Sequence, residues 1–124
     1  MLAASDPINP ELLSTCLEQI GDRDGAARNA VSAAEHASSI MAFGHAATLY
    51  GRALDLLAEG APARRDLIVK LGAALDNAGR GKAAAQAYVD AARLSEGDQA
   101  VELRRRAAEQ LLATGHLDEG VALL

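Results

Sequence analysis

The sequence contains few of the residues that stabilise disulfide-rich, aromatic-rich or β-sheet proteins. Its 124 residues include one cysteine, Cys16, no tryptophan and three aromatic side chains, Phe43, Tyr50 and Tyr88. A single cysteine excludes an intrachain disulfide, which fits a reducing compartment. β-Branched residues are sparse and never alternate over the length of a strand, so no β-sheet is predicted.

Positive charge is scarce in the first half of the chain. Residues 1–60 hold eight acids and three bases, a net charge of −5, whereas residues 61–124 hold nine of each. Binding to a nucleic acid duplex needs clustered Lys and Arg side chains opposite the phosphates. A helix that lies on a membrane surface needs a basic amphipathic face. We therefore expect neither a nucleic acid nor a membrane partner.

The sequence also has no recognisable targeting or membrane-spanning segment. Residues 1–7 have no basic region followed by an apolar stretch, so they do not form a secretory signal. The longest stretch without Asp, Glu, Lys or Arg, residues 36–51, is too short to span a bilayer. A cytoplasmic location is expected.

Alanine is abundant, with 29 residues, and it is accompanied by Leu, Glu, Gln and Arg. These are strong helix formers, and apolar residues recur at helical spacing between turn-forming residues. An all-α fold is therefore predicted. The predicted helices span about residues 10–20, 25–41, 45–58, 63–78, 82–94, 99–113 and 118–124, after a loose lead-in of residues 1–9.

Three of the predicted turns share a glycine that is followed five residues later by a small residue. The pairs are Gly21 and Ala26, Gly79 and Ala84, and Gly115 and Gly120. Ala46 repeats the second half of the pattern, but Met41 stands in the place of the glycine. The offsets from Ala46 to Ala84 and from Ala84 to Gly120 are 38 and 36 residues. Because such a period marks stacked helical hairpins, we predict one domain over residues 1–124, a right-handed α-solenoid of about seven antiparallel helices whose last helix is truncated at 124.

Local signals predict where helices end and which faces are buried. Asn9 is expected to cap a helix that begins at Pro10, and Asp24 and Asp98 to cap the second and sixth helices. A turn is expected at Phe43–Gly44, and residues 59–62 form the clearest break in the chain. The predicted buried stripes include Leu12, Leu13, Cys16, Leu17 and Ile20 in the first helix, Met41 in the second, Leu94 in the fifth and Val101 in the sixth.

These turns and small residues resemble those of the tetratricopeptide repeat family. The resemblance lies in Gly79 and Gly115, in the small Ala46, Ala84 and Gly120, and in Tyr50 and Tyr88 followed by Ala53 and Ala91. It implies hairpins in which the small residues allow close helix crossing and the tyrosine fills the gap between hairpins. The repeats are degenerate, because the usual tryptophan is missing and only Leu71–Gly72 is similar to the expected Leu-Gly pair.

A second resemblance covers nearly the whole chain. The segments that carry it include Ala47-x-Leu-Tyr-x-Arg-Ala-Leu54, Leu75-x-Asn-Ala-Gly-Arg80, Glu102-Leu-Arg-Arg-Arg-Ala-Ala-Glu-Gln-Leu-Leu112 and Gly115-His-Leu-Asp-Glu-Gly120. They are similar to the helical C-terminal region of large bacterial serine/threonine protein kinases fused to an ATPase module. The resemblance implies an arm of a multidomain signalling protein. It does not imply kinase activity here, because the kinase signature stretches are absent from this sequence.

Each candidate chemical site has a simpler structural interpretation. The stretch Gly79-Arg-Gly-Lys82 lacks the first glycine, the final hydroxyl residue and the preceding strand of a phosphate loop, so a turn is predicted. Cys16 has no basic neighbour on its own helix that would activate it, so a buried structural thiol is predicted. His36, His45 and His116 lack the spacing of a helical metal site. We predict no catalytic residue, no cofactor and no metal.

The run Arg104-Arg105-Arg106 is the strongest basic feature. It is predicted to lie on a solvated helix face where Arg106 pairs with Glu102 and Arg105 with Glu109. A phosphate or acidic-peptide site is the alternative.

The predicted function is non-catalytic protein–protein interaction or regulatory scaffolding, with a protein, a peptide or a neighbouring domain of the same polypeptide as the partner. The tetratricopeptide resemblance places a partner groove on the first helix of each hairpin, at Val69, Ala73, Asp76, Asn77, Arg105, Glu109 and Leu112. Two alternatives are a structural spacer beside a kinase or ATPase and a self-association module. Self-association is expected through the last helix, because Leu117 and Val121 are not followed by the polar capping helix that solenoids need.

Overall fold

The structure, a computed structural model, describes residues 9–123, and it is all-helical over that range. The helices are α1 (Pro10–Gln19), α2 (Arg23–Ser39), α3 (Phe43–Leu56), α4 (Arg64–Asn77), α5 (Gly81–Arg93), α6 (Gly97–Ala113) and α7 (Leu117–Leu123). The all-α prediction is confirmed, and every predicted helix lies within two residues of an observed one. The predicted lead-in, apart from Asn9, and the last position of the predicted final helix lie outside the described residues.

The chain divides into two compact units, Met1–Glu59 and Gly60–Leu124. The division falls at the break predicted over residues 59–62. In the first unit α2 packs against both α1 and α3, and in the second unit each helix from α4 to α7 packs against the next. The solenoid and the single domain remain predictions.

Four of the helix–helix connections are built in the same way. In each, the second residue after the helix has a positive φ: 87° at Gly21, 63° at Met41, 78° at Gly79 and 86° at Gly115. Two backbone bonds close each turn, as when Gly79 N donates to Asp76 O and Arg80 N donates to Leu75 O, both at 2.9 Å. This is the Schellman arrangement, which satisfies carbonyls that the helix end leaves unpaired. The α2–α3 turn therefore lies at Ile40–Ala42, and the prediction of a turn at Phe43–Gly44 is wrong because Met41 adopts the conformation of a glycine.

Met41 is the residue whose replacement by glycine is expected to stabilise the protein. An L-residue in the left-handed region costs about 1 kcal/mol, and the Met41 side chain is 79% exposed, so burial does not offset that cost. We expect Met41→Gly to raise the free energy of unfolding by about 0.5–1 kcal/mol in urea denaturation followed by circular dichroism. Gly79→Ala is the matched control. An added Cβ there has nothing within 4 Å, so only the backbone strain acts, and a loss of about 1 kcal/mol is expected. A lower free energy of unfolding in Met41→Gly than in the wild type would contradict this account.

The small residues that follow the four turns lie at close helix crossings. Ala26, Ala46 and Ala84 are each 0% exposed. Gly120 is buried, and a Cβ added there would lie 2.9 Å from Leu112 Cγ. The predicted pattern of a turn residue and a small residue five places later is therefore a packing device, since it brings the start of each helix close to its neighbour.

The predicted buried stripe of α1 is confirmed only in part. Leu13 and Leu17 are half-buried, and Leu17 packs against the core cluster of α2 and α3. The prediction is wrong for the other three residues, since Ile20 is 78% exposed and Leu12 and Cys16 are exposed as well. The fully buried side chain is Ser14, whose Oγ donates to Ala26 O at 2.6 Å. Because the facing surface of α2 consists of alanines, α1 approaches closely enough for a small polar side chain to reach the backbone of α2. The larger side chains lie to either side of that contact.

The other predictions of helix caps and buried residues are confirmed only in part. Asn9 caps α1 as predicted, with its side-chain oxygen 2.9 Å from Glu11 N. Asp22 rather than Asp24 caps α2, and Glu96 rather than Asp98 occupies the cap position of α6. Expected core residues that are instead exposed are Met41, Leu94 and Val101. They lie at or near helix ends, where the neighbouring helix no longer covers them.

A candidate interaction groove between α4 and α6

An open groove of about 580 Å³ runs between α4 and α6 in the second unit. We call it the α4–α6 groove. From α4 it is lined by Arg65, Asp66, Val69 and Lys70. From α6 it is lined by Asp98, Gln99, Glu102, Leu103 and Arg106. Two apolar residues thus lie among groups of both charges, a composition suited to holding a polar chain against a small apolar patch.

Tyr88 of α5 connects the two walls of the groove. It is only 5% exposed, and its ring packs on Gly72 of α4, where an added Cβ would lie 2.9 Å from Tyr88 Cε1. Arg106 of α6 lies near enough to its hydroxyl to oppose the rise of the Tyr88 pKa. Since α5 packs against both α4 and α6, it holds the two walls in place, and Tyr88 is one of the side chains at these contacts.

The surroundings of the Tyr88 hydroxyl raise its pKa. Burial is the main cause, and the negative charge of Asp76 adds to it, whereas Arg106 opposes both. The phenol therefore stays protonated at neutral pH and remains a hydrogen-bond donor. Asp76 and Arg106 thus act on the charge of this hydroxyl in opposite directions.

The basic residues of the groove are engaged by groups of the same chain. Arg65 Nη1 lies 2.9 Å from Asp66 Oδ1, and Arg65 Nε donates to Ser95 Oγ. Arg106 Nε lies 3.4 Å from Glu102 Oε1. Lys70 is engaged in an interaction of its own.

The predicted salt-bridged face of α6 is confirmed. Besides the Arg106 pair, Arg105 Nη2 lies 2.6 Å from Glu102 Oε1, and Arg105 also forms an ion pair with Glu109. Hydrogen bonding from Arg105 is the main cause that lowers the pKa of Glu102 to about 2, with its positive charge and Arg106 acting in the same direction.

This ion pair predicts a pH-dependent contribution to folding. A carboxyl whose folded pKa is lowered stabilises the fold above its unfolded value, here 4.5, and that contribution is lost as the pH falls toward about 2. We expect an NMR titration of the Glu102 carboxyl to have its midpoint near pH 2. Arg105→Ala should move the midpoint back toward the ordinary value, and Arg104→Ala, which removes a neighbouring charge that does not pair with Glu102, should leave it nearly unchanged. An equal response to both variants would contradict the specific pairing.

The sequence-predicted groove residues lie partly in and partly beside the α4–α6 groove. Val69 lines it. Ala73, Asp76 and Asn77 are exposed one to two turns further along α4, on the face that carries Val69. Arg105 and Glu109 pair with each other outside the lining. The remaining one, Leu112, faces α7 at Gly120.

Sequence reasoning missed eight of the nine residues that line the groove. The missed residues are Arg65, Asp66, Lys70, Asp98, Gln99, Glu102, Leu103 and Arg106. Helical spacing from Val69 would have found Asp66 and Lys70. No signal in the sequence shows how α4 and α6 are aligned along their axes, and that alignment decides which turns face each other.

The other candidate chemical sites that the sequence offered have structural roles or are not brought together in the fold. Gly79 is the turn residue of its connection, and Gly81 opens α5 where an added Cβ would collide with Thr114. The prediction that Cys16 is buried is wrong. His45 pairs with Glu11 at 3.1 Å and His116 lies 2.9 Å from Thr114 Oγ1. Within residues 9–123, no group of three or more His, Cys, Asp or Glu side chains is arranged to hold a metal ion.

Among the described helices, none is long and apolar enough to cross a membrane. No protein-family model matches this sequence, and no curated protein matches it significantly.

Proposed function

We propose that this chain is a non-catalytic protein–protein interaction or regulatory scaffold and that its partner binds in the α4–α6 groove. The partner is a peptide or protein, or a neighbouring domain of the same polypeptide. The proposal extends the tetratricopeptide-like interpretation of the hairpins, and the kinase-like segments favour an arm of a bacterial signalling protein.

The observation that carries the proposal is the groove itself. It is open, it has Val69 and Leu103 between charged groups, and its two walls both pack against α5. A groove whose walls are held in place before binding has a smaller ordering cost when a partner enters. Burial is the main cause of the raised pKa of Tyr88, and ion pairs on α6 explain the shifted pKa values of Glu102 and Arg105.

Two variants with the same substitution test the groove. Val69→Glu places a charge in the groove, and Val89→Glu places one at a half-buried position of α5 outside it. Each is introduced into the native gene, and extracts are separated by size and probed with an antibody against this segment. Loss of a large complex in Val69→Glu alone is the expected result. Equal sizes for wild type and both variants would favour a structural spacer. A denaturing immunoblot with the same antibody gives the polypeptide mass, and a band far above 12.8 kDa would support the multidomain arm.

Self-association through α7 is a second candidate, and the exposure of its apolar side chains favours it. Leu117 is 61% exposed and Val121 is 62% exposed, one helical turn apart on α7. We expect concentration-dependent association in sedimentation equilibrium that disappears in Leu117→Lys/Val121→Lys. Ile20→Lys/Ile40→Lys, which charges two exposed apolar residues at turns of the first unit, should not affect it. A wild-type monomer at high concentration would exclude this candidate.

A further inference from the structure

The balance of paired and unpaired charge in the α4–α6 groove indicates what kind of partner fits it. Every basic residue that lines the groove is engaged within the chain, Arg65 by Asp66, Arg106 by Glu102, and Lys70 in an interaction of its own. Two carboxylates at the groove have no such partner. Within residues 9–123, neither Asp98 nor Asp76 forms an ion pair, and both side chains are exposed. The carboxylates of Asp98 and Asp76 are therefore available to a partner.

Asp98 lines one end of the groove, and Asp76 lies beyond the other end. Asp98 lies in the first turn of α6, and Asp66, which also lines the groove, lies in the first turn of α4. Asp76 is exposed near the other end of α4, about two helical turns after Val69 on the same face. Ten helical residues separate the levels of Asp66 and Asp76, so the two ends are about 15 Å apart. Val69 and Leu103 lie between them.

We propose that the groove binds an extended basic peptide segment in which two Lys or Arg side chains reach Asp98 and Asp76 and an apolar side chain between them contacts Val69 and Leu103. An extended chain advances about 3.3 Å per residue, so the two cations are about four to five positions apart. This inference rests on the proposed function, since it names the chemistry of the partner that the groove holds.

The test uses two fluorescein-labelled peptides and fluorescence anisotropy with the full chain. One peptide carries two arginines about five positions apart with a leucine midway, and the other carries glutamates in place of the arginines. We expect the arginine peptide to bind at least about tenfold more tightly than the glutamate peptide. Added salt should weaken its binding, because the contacts are between exposed charges.

Single isosteric variants locate the contact. Asp98→Asn and Asp76→Asn should each weaken binding of the arginine peptide about two- to fivefold. Asp118→Asn is the matched control, because Asp118 lies in the first turn of α7 as Asp98 lies in that of α6, and it does not line the groove. All three positions are exposed, and circular dichroism verifies that the variants are folded.

Equal or tighter binding of the glutamate peptide, no binding of the arginine peptide, or equal effects of all three Asn variants would overturn the inference. The proposed function would fail separately, because it requires that Val69→Glu disrupts the cellular complex whatever the charge of the partner. If Val69→Glu disrupts the complex but the glutamate peptide binds more tightly, the groove remains the proposed site. Its partner is then acidic rather than basic.

Discussion

Tyr88→Ala is expected to lower the free energy of unfolding by about 3–4 kcal/mol, because it removes a large buried ring and leaves a cavity. Tyr88 is 5% exposed, and it touches Gly72 of α4 and Arg106 of α6. The truncation removes the side chain that packs on Gly72 of α4 and lies near Arg106 of α6. Urea unfolding followed by circular dichroism measures the loss.

Tyr88→Phe separates the ring from the hydroxyl. It keeps the packing on Gly72 and removes the polar interaction of the hydroxyl with Arg106, so we expect the free energy of unfolding to fall by about 1 kcal/mol. The groove should also change, since Arg106 is then held by Glu102 alone among the contacts described here. A loss in Tyr88→Ala no larger than in Tyr88→Phe would mean that the ring does not hold the two helices together.

The second large effect is a contrast between two helical glycines. We expect Gly72→Ala to destabilise the fold by about 1–2 kcal/mol, because overpacking costs about 1–3 kcal/mol and the higher helix propensity of alanine offsets about 1 kcal/mol of it. The new Cβ would lie 2.9 Å from Tyr88 Cε1 and 3.1 Å from Tyr88 Cδ1, closer than side chains normally pack. Either α4 moves away from α5 or the tyrosine ring leaves its position.

Gly51→Ala is the matched control and is expected to have the opposite sign. Gly51 lies in the interior of α3, and an added Cβ there meets nothing within 4 Å. Only the higher helix propensity of alanine acts, so we expect the free energy of unfolding to rise by about 1 kcal/mol. The difference between the two variants is then about 2–3 kcal/mol for the same chemical change. Two gains of similar size would show that Gly72 is not a close-approach position.

The helices could be predicted from the sequence because their signals are local. Asn9 and Pro10 mark the start of α1, and glycines at positions 21, 79 and 115 mark three of the turns. The α2–α3 turn was misplaced because Met41 occupies a left-handed conformation that sequence rules assign to glycine. Small residues five places after each turn were identified correctly as the close-packing positions.

Burial in an alanine-rich fold is harder to predict from periodicity. Where the facing surface is alanine, a small residue such as Ser14 makes the contact and larger apolar residues such as Leu12 and Ile20 lie outside it. The predicted groove residues lie on the same two helices, α4 and α6, as the lining of the α4–α6 groove, but most of them lie further along those helices. Which turns of α4 and α6 face each other depends on their axial alignment, and this alignment comes from long-range packing on α5.

Site-specific photo-cross-linking in the native cell tests most directly whether the α4–α6 groove is the surface that binds a partner. A photoreactive phenylalanine derivative at Val69 lies in the groove, and one at Ser32, exposed on α2 of the first unit, is the control. The account predicts a discrete cross-linked product from Val69, either a heavier band or a link to a neighbouring domain found by mass spectrometry, and none from Ser32. Products from Ser32 with none from Val69 would contradict the account and move the interaction surface to the first unit.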